Sequence, residues 1–232
     1  MGEQISVNVD GDQLPVSVRR NAQAKRLILR VERVTGEIKL TVPTRVSNRA
    51  AERFVRKQID WIAAERAAVG PVQKLCDGMQ MPFLGKVHQL RFTNEPPRKI
   101  QREADEIQVG GPADMASKRL EAWLRREAKA LLSERTSHHA ETLGVQYNRV
   151  SIGDMKSRWG SCSSRGTLRF SWRLLMAPYD VMDYVAAHEV AHLLEMNHSD
   201  RFWAHVGRCV PEHKSLRRWL KTEGGALFKL RF

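Results

Sequence analysis

The sequence predicts an α+β protein. Its N-terminal region, residues 1–112, reads as β-rich with one helical stretch, and residues 113–232 read as a second region that carries the polar motifs. The two regions are expected to pack as one unit. Three observations carry this. Residues 1–46 hold runs that alternate apolar and basic residues, residues 114–143 follow a helical apolar period, and the final third places strand-like runs ahead of two or three helices.

In chain order, VSVRR and LILRVERVTGEIKLTV give the alternation of half-buried strands. Val34-Thr35-Gly36-Glu37 reads as a hairpin turn between two such runs, and Pro43 closes the second. A helix is expected to open at Asn48, with an apolar face of Phe54, Val55, Ile59, Trp61 and Ile62, and to stop at Gly70-Pro71. MPFLGKVHQLRFT reads as strand, glycine turn, strand, and EIQVGG as a further strand after Pro96-Pro97. Asp114 is expected to cap a long helix bearing Leu120, Trp123, Leu124, Leu131 and Leu132, ended by Gly144. YNRVSIGDM and TLRFSWRLL read as strands around the turn-rich SRWGSCSSRG. Helices are then expected over Tyr179–Leu194, from Ser199 to Val210, and over His213–Leu220.

Composition narrows the class. A chain of 232 residues with 42% hydrophobic and 28% charged residues can bury a real core as one large or two small domains. No apolar run approaches the roughly 18 residues a membrane span needs, so no membrane is expected as a partner. The start lacks a secretory pattern; MGEQIS fits a loose acylation motif through Gly2 and Ser6, but reads as an ordinary soluble start. Cys76, Cys162 and Cys209 form no CxxC pair, which argues against a disulfide framework and for a reducing, cytoplasmic setting. The net charge of +13 permits nucleic acid, nucleotides or acidic partners. Basic pairs at Arg19-Arg20, Arg125-Arg126 and Arg217-Arg218 come without any RRM, KH or finger signature, so nucleic acid remains possible from charge alone.

The chemistry concentrates in AAHEVAHLLEMNHSDRFW, an HExxH motif. On a helix, His188 and His192 are offset by only about 40° and about 6 Å, so both imidazoles project towards one point. Two neutral imidazoles suit Zn²⁺, and Glu189 can reach a metal-bound water without being a ligand. The flanking Val185, Ala186, Val190, Ala191, Leu193 and Leu194 mark a buried helix, where two histidines and a glutamate need compensation that a metal supplies. A catalytic zinc takes three protein ligands. His198 is the favoured third, after the turn-capable Glu195-Met196-Asn197 and before the cap residue Ser199; an acid on a later helix, Glu212, is the competing choice. Glu195 and Asp200 fit less well, and His205 and His213 read as capping or packing residues. His88, His138 and His139 show no partner pattern.

KSRWGSCSSRGTLRFSWRLLMAP, DYVAAHEVAHLLEMNHSDRFW and VPEHK together resemble the YgjP-like metallopeptidase domain, a relative of the SprT-like and WLM zincins. VRRNAQAKRLILRV, GEIKLTVP and KQIDWI extend the resemblance over most of the chain. It implies a minimal zincin-like fold, a small mixed sheet with an active-site helix, and one zinc ion at His188, His192 and His198. Metzincins place glycine where this chain has Glu195, so their pattern does not apply.

The expected chemistry is a zinc-bound water, deprotonated by Glu189, attacking an amide carbonyl. Arg158, Trp159 and Ser161 are candidate substrate-binding residues. Arg158 would serve a developing oxyanion or a phosphate, while Trp159 also reads as core and Gly160 as a turn. The strand Thr167–Trp172, or its neighbour, is the candidate edge for pairing with extended substrate. Cys162 reads as a small buried hydrophobe, and Phe202 and Trp203 as core beneath the metal helix. Three functions compete: a zinc peptidase, a zinc phosphohydrolase acting on nucleotides, and a nucleic-acid-associated, SprT-like protease. A non-catalytic scaffold is disfavoured by Glu189.

Overall fold

The computed structural model describes residues 4–9, 12–32, 36–69, 73–155 and 158–232. Gly2, Val34-Thr35, Gly70-Pro71 and Lys156, each used above, lie outside the described residues. The architecture is α+β, as expected. The chain divides into two compact units, Met1–Val72 and Gln73–Phe232.

In the first unit, β1 (Gln4–Val9) pairs antiparallel with β2 (Asp12–Asn21), and β2 pairs in parallel with β4 (Ile38–Pro43). β3 (Ile28–Val31) pairs antiparallel with β4, from Ile28 opposite Thr41 to Val31 opposite Ile38, the hairpin partnership expected for these runs. Their alternation puts Val7, Val9, Val16, Ile38, Leu40 and Val42 on one buried face. α1 (Asn48–Arg56) and α2 (Ile59–Val69) add Ala51, Val55 and Ile62 to that core. Ser47 caps α1 by accepting from the Ala50 N–H at 3.3 Å. The single helix expected here is two, because the Gln58 N–H turns back to the Val55 carbonyl and tightens the chain between them. Trp61, assigned to the apolar face, is 39% exposed.

The second unit begins with β5 (Gln73–Lys74), followed by β6 (Gln80–Phe83), β7 (Lys86–Phe92), β8 (Ile100–Glu103) and β9 (Glu106–Val109). The last four form a sheet of order β6-β7-β9-β8. Leu84 and Gly85, both at positive φ, make the expected turn between β6 and β7. These strands fall within the second unit, so its start precedes the expected 112/113 boundary. The reason is packing: Met81, Phe83, Leu90, Ile107 and Val109 share one core with the long helix, and Phe83 stacks on Trp123 at 5.2 Å.

That helix, α3 (Ala116–Leu143), follows a 3-10 turn at Ala113–Met115. Asp114 therefore sits inside the 3-10 turn and is not the cap; Met115 occupies that position. Gly144 ends α3 in the left-handed region, φ 69°.

Next come β10 (Arg149–Gly153), β11 (Gly160–Cys162) and β12 (Thr167–Ser171), a small mixed sheet of order β10-β12-β11. β12 stops at Ser171, whose Oγ accepts from the Arg173 N–H and opens a 3-10 helix over Trp172–Met176. The strand expected to run on through Leu175 is cut short there.

The unit closes with α4 (Tyr179–Ala191), α5 (Asp200–Cys209), α6 (His213–Thr222) and β13 (Leu230–Arg231), which pairs in parallel with β5. Arg173, 3% exposed, anchors this end. It donates to Asp154 (2.8 Å) and to the carbonyls of Leu227 (3.1 Å) and Leu230 (2.9 Å). A second buried cluster ties α3 to α4, with Arg135 and His139 both bound to Asp183 at 2.6 and 2.7 Å. These two bonds hold the Asp183 carboxyl below its usual range although burial pushes the other way. No helix among the described residues is long and apolar enough to cross a membrane.

Candidate metal centre

α4 is buried on nearly every side, through Val181, Met182, Tyr184, Val185, Ala186, Ala187, Glu189, Val190 and Ala191. It is shorter than expected: His192 is its C-cap residue, and Leu193 and Leu194 already bond three residues back. The chain then turns. Asn197 Oδ1 accepts from the Ser199 N–H at 3.1 Å, and Ser199 Oγ accepts from the Phe202 N–H at 3.3 Å to start α5. His198 sits at this corner, held from both sides.

The turn brings three imidazoles together. One nitrogen from each of His188, His192 and His198 lies within 4.8 Å of the other two. The ring centroids form a near-equilateral triangle of 4.9, 4.9 and 5.1 Å, and Phe202 packs 4.5–4.9 Å from all three. Among the described residues this is the one group of three potential metal ligands. Glu212, the competing third ligand, is an exposed residue at the start of α6 and is not part of it. Glu195 and Asp200 are also outside the group, as are His205 and His213.

The donor set fits a tetrahedral ion. Nε2 of His188 and Nε2 of His198 are 3.2 Å apart. Two nitrogens about 2.0–2.1 Å from one tetrahedral zinc would stand about 3.3 Å apart. The outer nitrogens are oriented for the same purpose. His192 Nδ1 donates to the Glu195 carbonyl at 2.9 Å, which leaves the Nε2 lone pair free. His188 Nδ1 lies 3.5 Å from the Tyr184 hydroxyl, one helical turn back. Burial, then the neighbouring His192 and His198, then Arg217, push His188 down to about 3. His198 is lowered for related reasons. Both rings are therefore neutral, the form a metal binds.

Glu189 is 5% exposed and lies against β11. Burial pushes its carboxyl up to about 8, with the Arg158 charge pulling it back. The approach is so close that a Cβ on Gly160 would lie 2.7 Å from the Glu189 Cδ. Sequence reasoning took Gly160 for a turn residue and missed this role. No local pattern reveals it, because the contact joins residues far apart in the chain. Tyr184 was also missed, although its four-residue offset from His188 was readable.

An open cleft of about 280 Å³ fronts the triad, lined in part by Arg158, Ser161, Cys162 and Met196. Arg158 and Ser161 are thus beside the histidines. Trp159 points elsewhere: it packs on Phe228, with ring centroids 4.6 Å apart, and against Gly224. Half-buried Cys162 packs against the core and also borders the cleft, and burial pushes its thiol up to about 11. A protonated thiol is a poor metal ligand. Phe202 is buried as expected, and half-buried Trp203 stacks between His198 and His213 at 5.7 Å from each ring.

Of the two edges expected, Thr167–Trp172 or its neighbour, the structure leaves the neighbour. β12 is central, paired on both sides, so it offers no free edge. Among the described residues, its neighbour β11 pairs on one side only.

A family profile described as YgjP-like, metallopeptidase domain, matches residues 25–223. The chain belongs to the YgjP-like metallopeptidase family. The match takes in the three histidines and Glu189 and reaches back into the first unit. Two solved structures are similar to this YgjP-like chain over part of its length. They are the metallopeptidase zymogens of Pyrococcus abyssi abylysin, 28% identical, and Methanocaldococcus jannaschii jannalysin, 17% identical. Each covers 40% of this chain and 95% of its own, with a TM-score of 0.36. No curated protein matches the chain.

Proposed function

We propose that this YgjP-like protein is a zinc peptidase in which His188, His192 and His198 hold one ion and Glu189 moves the protons. One observation carries the reading: three imidazoles converge within 4.8 Å beside a buried carboxyl and open onto a cleft. A zinc ion held there would supply Lewis acidity and bring the pKa of a bound water to about 7. Glu189 accepts the proton of the attacking water and delivers it to the departing amide nitrogen. Its burial raises its proton affinity, which suits a group that holds a proton between two transfers.

β11 presents backbone N–H and C=O groups along its unpaired side, and an extended peptide can add there as a strand next to Ser161. Arg158 borders the same cleft and places a guanidinium near the carbonyl oxygen as it gains charge. Trp159 serves from behind, holding the segment onto Phe228.

The test is metal analysis of the purified protein, with peptide-library and nucleoside-triphosphate assays run in parallel and Glu189→Gln as the blank. One zinc per chain and peptide cleavage lost in Glu189→Gln are expected. Nucleotide hydrolysis without peptide cleavage, or full activity in Glu189→Gln, would overturn the reading.

A further inference from the structure

A second concavity of about 360 Å³ lies on the Trp203 side of the histidines, bordered by Asp200, Trp203, His213, Lys214 and Arg217. Its construction is specific. The Arg217 guanidinium lies 4.7 Å above the Trp203 ring, and that same ring stacks on His198 at 5.7 Å and on His213 at 5.7 Å. One aromatic ring therefore contacts both a cation and a metal-ligating imidazole. Among the described residues, Lys214 and Arg217 take part in no ion pair, although Glu212, Glu223 and Asp200 belong to the same or adjoining elements. The indole face pre-orders Arg217, which lowers the entropy lost when its donors engage an acceptor. His213 is pinned as well, its Nδ1 donating to the Val210 carbonyl at 3.2 Å.

We infer that this concavity is a subsite for a carboxylate of the substrate, with Arg217 and Lys214 as its ligands and Trp203 as its wall. The inference rests on the peptidase reading and names the class of peptide that the same centre takes. The Arg217 carbon is at most roughly 10 Å from the His198 ring, and an extended chain advances about 3.3 Å per residue. The carboxylate therefore belongs about two or three residues from the bond held at the metal. A planar guanidinium matches a carboxylate with two parallel hydrogen bonds, and Lys214 adds a second charge. Asp200 is the one acidic residue on the border, and its single charge repels an incoming carboxylate less than the two cations attract it.

The experiment measures peptide binding to zinc-loaded Glu189→Gln protein by fluorescence anisotropy, so that it does not depend on turnover. Labelled, C-terminally amidated octapeptides carry one glutamate scanned through the positions, or glutamine in its place; a third set carries glutamine and a free C-terminal carboxylate. Glutamate at one position, or the free terminus, should tighten binding about tenfold over the amidated glutamine peptide. The first result identifies a side-chain carboxylate and the second a terminal one. Adding Arg217→Ala should erase the preference, Lys214→Ala should reduce it, and Arg217→Glu should turn it towards lysine peptides. The preference should shrink as salt rises. Equal affinity for all three sets, no binding, or a preference that survives Arg217→Ala would overturn the inference. If the preference is present while the wild-type protein cleaves no peptide, the subsite stands and the peptidase reading falls.

Discussion

Replacing Gly160 by alanine tests whether the position of Glu189 against β11 sets the chemistry. An added Cβ would lie 2.6 Å from the Glu189 Cγ and 2.7 Å from Cδ, against roughly 3.4 Å for ordinary contact. The carboxyl would have to retreat by about 0.7–1 Å. Neither side has slack: Gly160 is held opposite Phe170 in the β11–β12 ladder, and Glu189 is 5% exposed on a buried helix. A misplacement of about 1 Å in a positioned catalytic group costs on the order of 100-fold in rate. The overpacking itself should cost about 1–3 kcal/mol of stability. The assay is kcat/KM on a cleaved peptide, read beside zinc content and Tm. Gly160→Ala should keep its zinc, because no histidine is displaced, and lose about 100-fold in kcat. Gly225→Ala, whose Cβ would meet nothing within 4 Å, is the matched control and should be neutral. If zinc-loaded Gly160→Ala retained more than about a third of wild-type kcat, the link from β11 to Glu189 to catalysis would be refuted.

Other outcomes follow from the same geometry. His198→Ala should weaken zinc binding at least about 100-fold in a chelator competition, since the two helix histidines alone leave the tetrahedral set short. Glu189→Gln should change the pH dependence of the metal-free protein. The folded carboxyl titrates at about 8, above its ordinary 4.5, so the stability of its protonated form is complete below pH 4.5 and is lost as pH rises through 8. Glutamine cannot ionise, so metal-free Glu189→Gln should melt higher than the wild type at pH 8.5 and alike at pH 4.5; parallel melting curves across that window would refute the assignment. Arg173→Ala should destabilise the second unit by about 3 kcal/mol, because it strands Asp154 and two buried carbonyls. Limited proteolysis should then cut near β13 first; unchanged cleavage and Tm would contradict the anchoring role.

How much of this was legible depended on the range of each interaction. The alternation in β2 to β4, the stop at Gly144, the cap at Ser199 and the four-residue offset of His188 and His192 are local, and all are visible in the chain. His198 was readable as a candidate because a turn and a cap flank it, but its choice over Glu212 needed the corner that brings its ring to 5.1 Å from His188. What escaped depends on residues distant in sequence. β11 hides in a turn-rich stretch and exists because Phe170, Arg169 and Leu168 offer it a ladder. β12 looks like an edge until β10 and β11 flank it. Trp159 follows Arg158 directly, yet it packs on Phe228 while Arg158 borders the cleft, a divergence set by the tertiary contact.

The centre also explains why a helix this apolar tolerates its polar residues. Buried polar groups normally find partners inside the protein, and Asp183 on the same helix does so through Arg135 and His139. Five and six residues further along, at His188 and Glu189, that solution is withheld. Among the described residues, no donor reaches the Glu189 carboxyl, and the inner nitrogens of the triad face one another. Protonating the imidazoles would set like charges about 3 Å apart, and burial opposes it at His188. Ionising Glu189 is opposed by the same burial. His188 and Glu189 are therefore held in their neutral forms. A cation at the point where the three nitrogens converge resolves every conflict at once, taking the lone pairs of the rings and favouring the ionised carboxylate beside them. The outer contacts, Glu195 carbonyl to His192 and Tyr184 hydroxyl to His188, are by contrast already made. The fold's hydrogen bonds thus fix the outer sides of the rings and leave the inner nitrogens facing one another, as the proposed ion requires.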